Sequence, residues 1–176
     1  MTTIGNNALS YTPGLTTIVC ADNHEHFIIE DEILYNKEKT QLVCAIKSVP
    51  QDIILPETLL TIDDGTFYQV TSLQTIHLPD SLISIGEYGF YYCSNLAEIN
   101  LPINLNFIGT YCFYYCQGLR KLYYDAKNIQ HFSSGRNMVF SYIGYTYKDL
   151  IIYIGKEVES LPNYLFSPYG TENSYS

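Results

Sequence analysis

The chain has 176 residues, 47% hydrophobic and 15% charged, so it can form one folded domain with a sizeable core. Nine Lys and Arg against 18 Asp and Glu give a formal net charge of −9. An acidic surface repels phosphate backbones and anionic lipid, which argues against nucleic-acid binding and membrane insertion.

The N-terminal sequence MTTIGNNALSYTPGL has neither a basic region nor a continuous apolar run. It therefore does not resemble a signal peptide. No stretch of the chain approaches the roughly 18 apolar residues of a membrane span. These features predict no exported leader and no transmembrane segment, and by default a cytoplasmic location.

The first predicted element is half of a repeat. Ile4, Leu9 and Leu15 match the second half of a 23-residue unit that recurs along the chain, so residues 1–17 form a partial repeat. The next unit, 18–52, is 12 residues longer than the standard one. Its excess holds EDEILYNKEKTQLVCA, two short apolar runs around a polar turn. This pattern predicts a strand at Ile18 followed by a β-hairpin.

The same long unit contains the spacing C-x3-H-x-H at Cys20, His24 and His26. A structural zinc site needs four ligands at suitable spacing, and no fourth ligand is evident. The sequence predicts a polar loop here, with no metal and no other cofactor.

Three regular repeats follow, at 53–75, 76–98 and 99–121, and they align without gaps. Each begins with a short run in which apolar and polar residues alternate, as in a half-buried strand. The shared pattern predicts one continuous parallel ladder with strands near Ile18, Ile53, Ile76, Ile99, Leu122 and Ile152. Pro79 and Pro102 follow two of these runs and should end the hydrogen-bonded ladder, because proline has no N–H. A unit this small cannot bury its own apolar side, so neighbouring units must stack about 4.8 Å apart.

The tetrapeptide FYYC occurs twice, at Phe90 and Phe113, one repeat apart. Stacked repeats turn recurring residues into columns, so the phenylalanines predict an aromatic column in the core. Small residues predict a second buried column, Val70, Cys93 and Cys116. Cys112 shares its position with Thr66 and Gly89, another site for small side chains. Buried thiols act as small hydrophobes, although a Cys93–Cys116 disulfide remains geometrically open.

The last predicted elements depart from the template. An irregular repeat, 122–151, carries a polar insertion near SSGRN, and a terminal partial repeat, 152–176, ends in the polar tail TENSYS. Solenoid ends need polar caps, and neither end shows one. We therefore expect a homo-oligomer, with a closed dimer favoured over a filament. A cap formed by the tail or the hairpin is the alternative.

Catalytic motifs are missing from the sequence: it contains no G-x-S-x-G, no H-E-x-x-H and no P-loop. The paired carboxylates Asp63 and Asp64 lie where other repeats have Gly-Glu or Gly-Thr, so they are expected in a variable, solvated turn. The sequence predicts that the protein is not an enzyme.

Outward-facing positions of the predicted strands supply the first set of candidate contact residues: Thr75, His77, Glu98, Asn100, Lys121, Tyr123 and Tyr153. Glu98 and Lys121 would be neighbours and could form an ion pair of modest value. The tyrosines that follow the core phenylalanines supply the second set: Tyr91, Tyr92, Tyr114 and Tyr115. Some of these should pack between repeats, and the rest should present rigid amphipathic area suited to recognition.

The pattern LxxIxLPxxLxxIGxxxFxxCxxL, clearest in 73–96 and 96–119, resembles the BspA-like leucine-rich repeat family of mucosal bacteria and trichomonad protists. The resemblance implies an α/β-type, right-handed solenoid with a concave parallel sheet and with short turns or helical turns on the convex side. It also implies a non-enzymatic protein-interaction module, adhesin-like or scaffold, at the cell surface or secreted. Its partner would be an unidentified protein, of the host cell or extracellular matrix. Two alternatives stay open: a self-assembling structural protein and, more remotely, a metal-binding protein or enzyme.

Overall fold

A computed structural model describes residues 4, 8–9, 12, 14–129, 131–132, 138–146, 149–162 and 165–166, with only the backbone described at 131–132. The SSGRN insertion and the polar tail lie outside these residues. Twelve strands are present in this part of the chain: β1 Phe27–Glu30, β2 Ile33–Asn36, β3 Gln41–Ala45, β4 Asp52–Ile54, β5 Thr61–Ile62, β6 Thr75–His77, β7 Ser84–Ile85, β8 Glu98–Leu101, β9 Phe107–Ile108, β10 Lys121–Tyr124, β11 His131–Phe132 and β12 Ile151–Ile154. The described residues contain no helix, and turns connect the strands.

A five-stranded sheet contains the first strand of each repeat from 53–75 onward, in the order β12-β10-β8-β6-β4. All its pairs are parallel, and Ile53, Ile76, Ile99, Leu122 and Ile152 stand in register. These five predicted strands are confirmed. β8 ends directly before Pro102, as expected for a residue that cannot donate to the ladder.

The predicted strand at Ile18 is wrong. Residues 15–20 form no strand, and Ile18 packs against a small separate cluster around Phe27 and Leu34. Neighbouring residues of β2 face opposite ways, so Leu34 belongs to this cluster while Ile33 belongs to the main core. The apolar character of Ile18 therefore serves the outer face of the hairpin and not the main sheet.

The predicted hairpin is confirmed, since β2 pairs with β3 in antiparallel fashion, and β1 adds a third antiparallel strand. Asn36 shapes the turn, because its Oδ1 accepts hydrogen bonds from the backbone N–H groups of Thr40 and Gln41, both 2.8 Å long. Lys39, in the same turn, adopts a left-handed conformation with φ of 54°.

A second, seven-stranded sheet, which the sequence analysis did not predict, runs in the order β1-β2-β3-β5-β7-β9-β11. From β3 onward its pairs are parallel, with Leu42, Ile62, Ile85 and Ile108 in register. The hairpin strand β3 is thus also the first strand of this parallel stack. Each of the four repeats from 53–75 to 122–151 therefore contributes one strand to each of two sheets.

The core fills the space between the two sheets and the turns. Phe67, Phe90 and Phe113 are fully buried, and Phe140 continues their column. Successive rings stack with centroids 4.9, 5.1 and 5.1 Å apart and planes within 7°. The predicted aromatic column is confirmed, and it extends into the irregular repeat.

The small-residue column is confirmed as well, since Val70, Cys93 and Cys116 are buried. The Cys93 and Cys116 thiols are free and donate to the carbonyl oxygens of Phe67 and Phe90, each at 3.1 Å. Burial raises the pKa of Cys116 to about 12 and the pKa of Cys93 well above its usual range. These thiols are packing groups that hold one repeat against the next.

Candidate protein-binding surfaces

The outer face of the five-stranded sheet carries the first column of candidate residues. Side chains alternate along a strand, so the residues before the buried isoleucines point outward. Thr75 Oγ1 donates to Asp52 Oδ1 at 2.5 Å, and Lys121 Nζ lies 3.1 Å from Glu98 Oε1. The predicted Glu98–Lys121 ion pair is confirmed. Its hydrogen bond and the charge of Glu98 raise the pKa of Lys121.

A second outward column lies two residues further along the same strands. It consists of Ile54, His77, Asn100, Tyr123 and Tyr153. The rings of Tyr123 and Tyr153 stack with centroids 4.7 Å apart and planes 10° apart. Asn100 Oδ1 is buried and has no hydrogen-bond partner among the described residues. This column therefore combines aromatic area with an unsatisfied acceptor.

The two columns border an open groove of about 710 Å³. Its lining includes Asp52, Ile54, Thr75, His77, Glu98, Asn100, Tyr123 and Asp125. Three carboxylates are among them, and the described lining residues include no Lys or Arg. Glu98 is paired with Lys121, so the net negative charge of the groove comes from Asp52 and Asp125, and an aromatic surface lies at one end. This arrangement complements a basic partner.

Of the candidates from the strands, Thr75, His77, Glu98, Asn100 and Tyr123 line this groove. Lys121 and Tyr153 lie on the same sheet face without lining it. The sequence analysis missed Asp52, Ile54 and Asp125. Asp52 and Ile54 occupy the same columns one repeat earlier, so extending the columns would have found them. Asp125 stands where the regular repeats have proline, and this departure from the template was the available signal.

The remaining candidates, Tyr91, Tyr92, Tyr114 and Tyr115, lie outside the groove, in the turns that carry the core phenylalanines. They form a continuous surface with four further tyrosines, which we call the tyrosine wall: Tyr68, Tyr88, Tyr91, Tyr92, Tyr111, Tyr114, Tyr115 and Tyr142.

The wall is built of ring columns. Tyr68, Tyr91 and Tyr114 stack with centroids 4.9 and 5.6 Å apart, and their planes lie within 5° of parallel. Tyr115 and Tyr142 stack at 4.7 Å in a neighbouring column. Edge-to-face contacts join the columns, such as that of Tyr114 with Tyr115 at 4.6 Å.

Five wall tyrosines adopt left-handed backbone conformations, with φ between 56° and 61°: Tyr88, Tyr92, Tyr111, Tyr115 and Tyr142. In the first regular repeat, Gly65 occupies the position of Tyr88 with φ of 62°. Left-handed conformations cost roughly 1–2 kcal/mol for residues with a Cβ, and bulky residues rarely adopt them. The tyrosines are therefore held there by the surrounding contacts.

Two groups weighed as catalytic or metal sites have structural roles. Asp63 and Asp64 are partly buried, so the prediction of a solvated turn is wrong. Asp63 accepts two hydrogen bonds from Gln41 Nε2, at 2.8 and 3.0 Å. Asp64 Oδ1 accepts from the Glu87 backbone N–H of the next repeat at 2.7 Å. The carboxylates thus tie neighbouring repeats together.

The predicted polar loop is organised by His24, whose Nδ1 accepts from the backbone N–H groups of His26 and Phe27, both at 3.2 Å. Within the described ranges, no three His, Cys, Asp or Glu side chains are grouped so as to hold a metal ion. The described part of the chain also has no helix of the length and apolar character needed to cross a membrane.

The chain is similar to a family of known proteins and to solved structures. The model of the BspA type leucine-rich repeat region matches six copies within residues 43–170. A leucine-rich repeat protein from Eubacterium ventriosum is similar over 73% of this chain, with 27% identity and a TM-score of 0.62. The pneumococcal vaccine antigen PcpA is similar over 81% of this chain, with 26% identity and a TM-score of 0.69. The chain spans about a third of either structure, 34% in both cases. No curated protein sequence matches it.

Proposed function

Since the chain belongs to the BspA-type leucine-rich repeat family, we propose that it is a non-enzymatic protein-interaction module, adhesin-like or scaffold, that binds a partner through the groove on its five-stranded sheet. The family is generally associated with protein interaction or the cell surface and is typically non-enzymatic. Display at the surface and an extracellular-matrix or host-cell partner belong to the same proposal. One of the similar structures is a vaccine antigen, which favours an exposed role.

The observation that carries the proposal is the chemistry of the groove. Its outward side chains include three carboxylates and aromatic area, none of which the core requires. Tyr153, at the end of the aromatic pair, is 44% exposed. Tyrosine supplies contact area at a low entropy cost and is enriched where partners bind.

The experiment is surface plasmon resonance of the intact chain against a panel of purified extracellular-matrix proteins. We expect at least one to bind, with an affinity that falls as salt rises, because carboxylates face the partner. The double variant Tyr123→Ala/Tyr153→Ala should weaken binding by about tenfold. Tyr145→Ala, which removes a tyrosine that is 64% exposed and lies outside the groove, is the matched control. Equal binding by both variants would refute the assignment of the groove, and no binding to any of the panel would refute the matrix-adhesin form.

Self-association is a second candidate, favoured by the exposed side chains of β12. Ile151 and Ile154 are each 50% exposed on this strand, which is at the edge of the five-stranded sheet among the described residues. Edge strands with apolar side chains tend to pair with a second chain. We expect light scattering with gel filtration to give a dimer, and Ile151→Lys/Ile154→Lys to give a monomer. A mass of 20.1 kDa for the unmodified chain at high micromolar concentration would exclude this candidate.

A further inference from the structure

The tyrosine wall is a second candidate interface, separate from the groove proposed above, because none of its tyrosines lines that groove. Its ring-centroid contacts range from 4.6 to 6.3 Å and join all eight tyrosines. Tyr92 and Tyr142 are 41% and 42% exposed. The wall is therefore a broad aromatic surface that remains open to a partner.

Gln69, in the column of Tyr92, has the same left-handed conformation with φ of 57°, so the turn of the repeat sets this backbone and does not require an aromatic ring. Tyr92, Tyr115 and Tyr142 hold left-handed conformations that glycine or asparagine would adopt with less strain. The fold accepts glycine at such a position, as Gly65 shows one repeat before Tyr88. The turn therefore does not require the exposed rings of Tyr92 and Tyr142, which remain available for recognition.

Stacking limits what the wall can recognise. Within each column the ring faces cover one another, as in the stack of Tyr91 on Tyr114 at 5.6 Å. The accessible parts are mainly ring edges and phenol groups. Tyrosine phenols are protonated at neutral pH and can donate hydrogen bonds. Burial raises the pKa of Tyr88, Tyr91 and Tyr114 further. A sugar ring, which stacks on an open aromatic face, fits this surface poorly.

We propose that the tyrosine wall binds a proline-rich segment in the polyproline II conformation with Lys or Arg between its prolines. Such a helix has no internal hydrogen bonds and proline has no N–H, so it presents carbonyl acceptors to phenol donors. Grooves lined by aromatic residues are the usual docking sites for prolines.

Spacing and charge support this occupant. A polyproline II helix advances about 9.3 Å per turn of three residues. Two repeats of a parallel sheet advance about 9.6 Å, so every third residue of the ligand meets every second repeat. Glu87 lies beside Tyr88 and contributes to raising its pKa, and the chain carries a net charge of −9. Basic residues between the prolines complement this field.

The test is fluorescence anisotropy with a fluorescein-labelled peptide of repeated Pro-Pro-Lys and the intact chain. We expect saturable binding, and binding about tenfold weaker for a Gly-Gly-Lys peptide of the same length and charge. Tyr92→Gly/Tyr142→Gly should reduce the affinity for Pro-Pro-Lys by about tenfold. Glycine suits the left-handed backbone, so a thermal melt should show a folded variant. Tyr92→Asn/Tyr142→Asn provides a second variant compatible with that backbone.

The groove variant Tyr123→Ala/Tyr153→Ala separates the two proposals, and it should bind Pro-Pro-Lys as the parent chain does. Loss of binding in this variant with retention in both wall variants would overturn the wall as the site. Absence of saturable binding, or equal affinity for the Gly-Gly-Lys peptide, would overturn the polyproline ligand. Displacement of the peptide by a soluble glucan would assign the wall to carbohydrate and also overturn the proposal.

Discussion

The phenylalanine column and the tyrosine wall lie side by side on the same turns but differ in burial and backbone. Phe90 and Phe113 stack with centroids 5.1 Å apart, and Tyr115 and Tyr142 stack at 4.7 Å. The phenylalanines are fully buried, whereas Tyr142 is 42% exposed and has a left-handed backbone. Stacking follows from the repeat in both places. Stability should follow burial, so the phenylalanines should hold the fold while the tyrosines remain available to a partner.

The largest effect should come from the buried column. Phe90→Ala leaves a cavity between Phe67 and Phe113, and we expect a loss of about 3–5 kcal/mol in the free energy of unfolding. Urea denaturation followed by circular dichroism measures it. A loss below about 1 kcal/mol would show that Phe90 contributes no more than a surface residue, and it would contradict the claim that the phenylalanine column holds the fold.

Successive turns approach one another closely, which sets the ring spacing in the phenylalanine column and in the tyrosine wall. A substitution at Gly109 tests this close approach. A Cβ at this position would meet the backbone of Gly86 and Glu87 in the preceding repeat. Gly109→Ala should therefore cost about 1–3 kcal/mol, as overpacking does. The control is Gly14→Ala, where no atom lies within 4 Å of the added Cβ. Equal melting temperatures for the two variants would contradict the close approach.

The strain in the wall predicts an order between two substitutions of one residue. Tyr92→Ala removes the ring but keeps a Cβ on a left-handed backbone, whereas Tyr92→Gly removes both. We expect the glycine variant to be more stable than the alanine variant by about 1 kcal/mol in urea denaturation. If alanine were the more stable of the two, Tyr92 would not carry the strain that its φ implies.

The environment of Asp63, in the same turns, predicts that the free energy of unfolding depends on pH. Burial, the largest cause, raises its pKa above the usual value, and the charge of Asp64 adds to this, while the hydrogen bond from Gln41 lowers it. The stability linked to protonated Asp63 is complete below its unfolded pKa of about 4 and is lost as pH rises through the folded value. Asp63→Asn should thus gain stability relative to the parent between pH 3 and pH 7. If urea denaturation gave the same difference in unfolding free energy between Asp63→Asn and the parent at every pH, this prediction would be contradicted.

The smallest effect is expected at His77, which is exposed on the groove. His77→Ala should change the free energy of unfolding by less than about 0.5 kcal/mol. A loss equal to that of Phe90→Ala would mean that the inner and outer faces of the repeat have been exchanged. The same variant allows binding at the groove to be tested without a stability artefact.

Much of the fold could be predicted because the 23-residue period directly reports which residues become neighbours. The five strands, the phenylalanine column and the Glu98–Lys121 pair follow from that period, whereas the hairpin follows from two apolar runs around a polar turn. The strands that follow β3 in the second sheet, such as Thr61–Ile62, have two residues each and are too short to show an alternating pattern. Ile18 matched the template but packs on the far side of the hairpin, a contact that periodicity does not contain.

The sites were less predictable than the fold. The repeat columns predicted that His77, Asn100 and Tyr123 lie on one face, where they line the groove. The acidic character of the groove depends also on Asp125, which stands where the regular repeats have proline. Left-handed tyrosines run against local preference, since glycine and asparagine favour that conformation. The turn of the repeat imposes this conformation at Tyr92 and Tyr115, as it does at Gln69 in the same column, and only the structure reveals it.

The most direct test of the account is the unfolding free energy of the triple variant Tyr92→Gly/Tyr115→Gly/Tyr142→Gly. It removes three rings from the wall, and at each position it relieves a left-handed Cβ. We predict that its stability stays within about 1–2 kcal/mol of the parent in urea denaturation, because lost ring contacts and relieved strain offset each other. A loss as large as the 3–5 kcal/mol expected for Phe90→Ala would contradict the account, because the wall would then hold the fold as the buried column does.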